Sequence, residues 1–123
     1  RPLESSQRLR DRARAMLASD RTSTARRLLD AILEGSSTAA GRNSGRIAPG
    51  ALADLVALDS THIDLVDRHA DLVLDSFVFA GDDRMVQEVW SAGRHLVRDG
   101  HHIHRRAIQS AYRTAMSDLR DRL

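Results

Sequence analysis

An α+β chain is the fold class that the sequence predicts, on three observations. Apolar residues recur at helical spacing through residue 42. Between 46 and 100 the pattern changes to short β-prone runs broken by turn residues. One amphipathic helix then covers about 104–122. The 123 residues suffice for one small core or for an end segment of something larger.

The first zone starts with Leu3, Gln7, Leu9, Ala13, Met16 and Leu17 near helical spacing, with Arg8, Arg10, Arg12 and Arg14 falling mostly on the other side. Ser19-Asp20-Arg21-Thr22-Ser23 breaks this helix and supplies N-cap candidates for a second one. There Ala25, Leu28, Leu29, Ile32 and Leu33 form the apolar stripe, and Gly35-Ser36-Ser37 is expected to end or kink it before Ala39-Ala40-Gly41.

In the second zone Pro49-Gly50 signals a type II turn, because Pro presets φ at the second position and Gly accepts positive φ at the third. Ala53–Asp59 then reads as a short buried strand, followed by an Asp- and His-rich loop over Ser60–Asp71. Leu72–Ala80 is mainly apolar and ends at Gly81-Asp82-Asp83; its pattern leaves strand and buried helix both open. Val86–Ser91 and Arg94–Arg98 flank Ala92-Gly93, which is hairpin spacing, with the turn type left open because Ala92 resists positive φ. In the third zone Ala107, Ile108, Ala111, Tyr112, Ala115, Met116 and Leu119 repeat at i, i+3, i+4. A few short strands need a second layer, which these helices or an absent partner domain would supply.

Composition excludes several functions. No cysteine is present, which removes disulfides, thiolate metal sites and Cys nucleophiles and fits a reducing cytoplasm. No apolar run is long enough to span a bilayer, so no membrane role is expected. Arg1-Pro2-Leu3-Glu4 is not a secretory signal, and the absence of Met at position 1 suggests preceding sequence. Residues 1–48 carry ten Arg against five acids and residues 49–123 nine against twelve, for a net charge of +2. That balance argues against nucleic-acid binding.

Gly45-Arg46-Ile47-Ala48-Pro49-Gly50-Ala51-Leu52-Ala53-Asp54-Leu55-Val56-Ala57-Leu58-Asp59 resembles the amidohydrolase-superfamily segment that leads from the catalytic barrel back into a small β-sandwich. Val89–Gly100 resembles that family's final hairpin, and the two segments in this order are more specific than either alone. Within the superfamily the chain looks most like formimidoylglutamate deiminases. Leu3-Glu4 with Gln7–Arg12 is similar to a helix of that group, Leu74–Gly81 to its L-D-x-x-[LIV]-F-A-G strand, and Arg105–Leu119 with Tyr112-Arg113 to its tail. Pro2, Ser5 and Ser6 depart from that group's Trp, Tyr and Gly, and Ser91-Ala92 from an apolar residue and Gly.

The resemblance implies a (β/α)8 barrel enzyme in which a zinc-activated water hydrolyses N-formimidoylglutamate to formylglutamate and ammonia. It assigns residues 1–45 to the last helical part of the barrel, 46–100 to strands of a composite sandwich and 101–123 to a terminal helix. The metal-binding Asp and His lie before residue 1, so no catalytic, cofactor or metal residue is carried onto this chain. Its implied partners are the remaining barrel and sandwich strands, with a homodimer as a further expectation.

Three constellations invite a functional reading. His101-His102-x-His104 offers two metal ligands at most from one short stretch, and exposed His in a turn is the favoured reading. His62-Ile63-Asp64 with Asp59, Asp67, His69 and Asp71 lacks the tight oxygen pattern of a hard-cation loop, so a solvated connector is favoured. The Arg-rich run Arg8–Arg14 with Arg26-Arg27 suggests an Arg-rich nucleic-acid-binding module, but Asp11, Asp20 and Asp30 interrupt it and aromatics are absent. Trp90, Phe77, Phe79 and Tyr112 are expected to be core packing. An independent small α/β interaction domain is the remaining alternative.

Overall fold

The computed structural model describes residues 2–12, 17–19 and 22–122; Ala13 and Met16 of the first apolar stripe lie outside them. Helix α1 spans Pro2–Asp11 and α2 spans Thr24–Ala39. Strand β1, Leu55–Leu58, is followed by a short 3₁₀ turn at Ile63–Leu65, helix α3 at Asp71–Phe79 and a second 3₁₀ turn at Asp83–Met85. Strands β2 (Val86–Ser91), β3 (Arg94–Arg98) and β4 (His101–His102) lead into helix α4, Arg105–Arg120. The four strands form one antiparallel sheet in the order β1-β2-β3-β4.

Helix α2 begins where the sequence places its cap. Ser23 is extended, and its Oγ accepts the Arg26 N–H at 3.1 Å. Its other end corrects an expectation, because the helix runs through Gly35-Ser36-Ser37 without a break. The Ser36 and Thr38 hydroxyls turn back onto the helix, Ser36 Oγ donating to the Leu33 carbonyl at 3.4 Å and Thr38 Oγ1 to the Glu34 carbonyl at 2.9 Å. Termination comes at Gly41, with φ +60°, where the N–H groups of Gly41 and Arg42 donate to the carbonyls of Thr38 and Ser37. That pair of bonds is a Schellman motif.

The segment at 72–80 is a helix, not the strand of the family likeness. The reason is visible in its partners. Asp71 and Asp75, four residues apart, both reach the N-terminus of α2: one helical turn brings such a pair within about 6 Å, whereas a strand would spread them about 13 Å along one face. After α3 the chain turns sharply at Gly81, where an added Cβ would lie 2.7 Å from the Phe77 carbonyl oxygen and 2.6 Å from Met85 Sδ. The Pro49-Gly50 turn forms as read, with Gly50 at φ +81° and the Ala51 N–H donating to the Ala48 carbonyl at 3.1 Å.

Among the described residues the core is small: Ala25 and Met85 are fully buried, Leu65 and Thr24 nearly so. The chain exposes 9730 Å², whereas a folded monomer of 13.7 kDa typically exposes about 6,600 Å². Large apolar side chains are among the exposed groups. Along α4 the stripe of Ile108, Tyr112, Met116 and Leu119 is exposed, Tyr112 at 64%, so the expectation that Tyr112 is core packing does not hold within this chain.

Candidate functional site

The most organised polar geometry lies at the two sheet turns, and the same device builds both. Between β2 and β3, Ala92 and Gly93 adopt φ +48° and +78°. Between β3 and β4, Asp99 and Gly100 adopt +48° and +70°. Positive φ at both central residues is what a two-residue type I′ turn requires, so Ala92 accepts the conformation that its side chain disfavours.

Each turn is held by two consecutive residues of a neighbouring strand or its approach. Asp54 Oδ1 accepts the Ala92 N–H at 2.7 Å, and the Ala53 carbonyl accepts the Gly93 N–H at 2.9 Å. One strand over, Glu88 Oε1 accepts the Asp99 N–H at 3.1 Å, and the Gln87 carbonyl accepts the Gly100 N–H at 2.8 Å. In both cases a carboxylate takes the amide of the first turn residue and a backbone carbonyl takes that of the glycine. Asp54 also faces Arg42, whose Nη2 lies 3.2 Å from Oδ2, so the end of α2 is tied to the hairpin tip.

Glu88 serves a second partner, His95, whose Nε2 contacts Oε2 on the same sheet face. The His95 ring stacks on Trp90 with centroids 4.5 Å apart and planes 15° from parallel. The Asp99 N–H is the main cause holding the Glu88 carboxyl below its ordinary range, opposed by desolvation and helped by His95. Neither Glu88 nor His95 stands out in the sequence. Their pairing arises across strands and leaves no local spacing to detect.

A third polar cluster joins α2 to α3. The Ser23 and Ala25 N–H groups donate to Asp71 Oδ2 at 3.3 Å and Asp75 Oδ1 at 3.1 Å. Arg26 Nε lies 3.0 Å from Asp71 Oδ1. The Asp71 carboxyl is lowered chiefly by the Arg26 guanidinium and then by the Ser23 amide. Two carboxylates at a helix N-terminus satisfy donors that lack intrahelical partners.

The residues singled out in the sequence are dispersed among structural tasks. His101 and His102 form β4, not a simple turn. His101 Nδ1 sits 2.7 Å from the Asp99 carbonyl oxygen, and His102 Nδ1 accepts the His104 N–H at 3.1 Å. Asp59 accepts both the hydroxyl and the amide of Thr61, which lower its carboxyl in that order. Asp64 lies beside His62 at 3.6 Å, while Asp71 is committed to α2. Of the Arg-rich run, Arg10 pairs with Asp11 at 2.7 Å and Arg26 with Asp71; Arg14 lies outside the described residues.

Among the described residues no group of three His, Cys, Asp or Glu converges as a metal site. The described residues therefore offer no donor set that fits zinc. A cleft between α2 and the following loop is lined by Asp30, Leu33, Glu34, Ser37, Thr38, Ser44 and Arg46, and two of its hydroxyls are engaged by backbone: Ser37 Oγ donates to the Arg42 carbonyl and Thr38 Oγ1 to the Glu34 carbonyl. Among the described residues no helix is long and apolar enough to cross a membrane.

Comparison with known proteins accounts for a chain built this way. No family model matches the sequence. Formimidoylglutamate deiminase of Pseudomonas aeruginosa is 40% identical over 120 residues, a match taking in 97% of this chain and 26% of that protein. The crystal structure of an amidohydrolase from Brucella melitensis superposes with a TM-score of 0.75 at 38% identity, over 95% of this chain and 25% of that one. The chain thus spans about a quarter of the length of these relatives. Matched over nearly its whole length by a formimidoylglutamate deiminase and by a solved amidohydrolase, the chain is a C-terminal segment of an amidohydrolase-family protein.

Proposed function

We propose that this chain is the structural, non-catalytic C-terminal portion of a zinc-dependent amidohydrolase. The parent enzyme hydrolyses the C–N bond of N-formimidoylglutamate to formylglutamate and ammonia, in histidine degradation in the cytoplasm. Residues 1–45 finish the barrel, residues 46–100 supply strands of a sandwich completed by the rest of the enzyme, and residues 101–123 form a terminal helix. The zinc and the groups that activate water belong to that remainder, which is this segment's main partner; a homodimer of the parent is a further expectation.

The observation that carries this reading is near-complete coverage of the chain against about a quarter of the relative. The exposed apolar stripe of Ile108, Tyr112, Met116 and Leu119 on α4 supports it, because a contiguous apolar face of this kind marks an interaction surface. The independent-domain alternative is disfavoured by the same surface.

The test uses the complete protein that carries this chain. Ammonia release from N-formimidoylglutamate is measured before and after chelation, and again with zinc restored. Turnover that disappears with chelator and returns with zinc is the expected result. A folded, zinc-loaded protein without turnover would overturn the substrate assignment.

A further inference from the structure

We draw no further inference here: the strongest candidate, the exposed apolar stripe of Ile108, Tyr112, Met116 and Leu119 on α4, carries nothing because nothing in the structure shows what covers it.

Discussion

Asp54 accepts the backbone N–H of Ala92 at 2.7 Å across 38 positions of sequence, joining the approach to the first strand to the tip of the hairpin. The two segments that carry the family likeness are therefore one physical unit. Each supplies what the other lacks: the turn has amides facing away from its own ladder, and Ala53-Asp54 brings a carbonyl and a carboxylate to them.

Replacing Asp54 tests this directly. In the complete protein, Asp54→Ala removes the acceptor of the Ala92 amide and the partner of Arg42. A hydrogen bond of this kind is worth about 1 kcal/mol, or roughly fivefold in exchange rate. Hydrogen exchange of the peptide spanning the β2–β3 turn is expected to accelerate by about that factor. Asp54→Asn, which keeps an acceptor oxygen, is expected to lie between. Unchanged exchange in Asp54→Ala refutes the clamp.

Ala92→Gly is expected to stabilise. A non-glycine residue in the left-handed region costs about 1–2 kcal/mol, while the added freedom of glycine in the unfolded chain offsets about 0.4–1 kcal/mol of that. The net expectation is a gain of up to about 1.6 kcal/mol, read as a higher denaturation midpoint of the complete protein. A lower midpoint means that the Ala92 methyl makes contacts that outweigh its strain.

Acid should loosen the β3–β4 turn through Glu88. Its carboxyl is held below the ordinary value by the Asp99 amide, so the folded state binds this proton less readily than the unfolded state. The contribution is fully present above the unfolded value near 4.5 and is lost as pH falls through the lower folded one. Melting temperatures of wild type and Glu88→Gln across the acid limb are expected to converge toward low pH. Parallel curves contradict the linkage.

Gly81→Ala should be among the costlier changes in this segment. The new Cβ meets the Phe77 carbonyl oxygen at 2.7 Å, a backbone atom that cannot swing aside, and presses on the fully buried Met85. Overpacking of this kind costs about 1–3 kcal/mol. Denaturation of the complete protein provides the measurement, and a loss below a few tenths of a kcal/mol means that the turn relaxes freely.

Expressed by itself, the 123-residue chain should melt broadly and bind a hydrophobic dye. The exposed stripe on α4 and the open β1 edge leave apolar and hydrogen-bonding surface without cover. A single sharp transition without dye binding contradicts this and favours a self-sufficient domain.

Local features were legible in the sequence. The Ser23 cap, the Pro49-Gly50 turn, the β2–β3 hairpin and α4 each depend on residues within a few positions, so spacing and turn chemistry suffice. Legibility failed where distant groups decide. Leu72–Ala80 is apolar on too many sides for its period to choose, and the choice is made by Asp71 and Asp75 meeting α2. Gly35-Ser36-Ser37 looks like a break, yet the hydroxyls of Ser36 and Thr38 bond back onto helix carbonyls and Gly41 sets the end. The His101-His102 strand is two residues long, and Glu88–His95 is a cross-strand pair, so neither has a sequence period.

The stacking of Trp90 on His95 has a practical consequence. Trp90 is the chain's single indole and lies in the central ladder of the sheet, paired with Leu55 on one side and His95 on the other. Its emission in this chain is a built-in optical gauge of whether those three strands are together. Unravelling of the hairpin can therefore be followed without attaching a label.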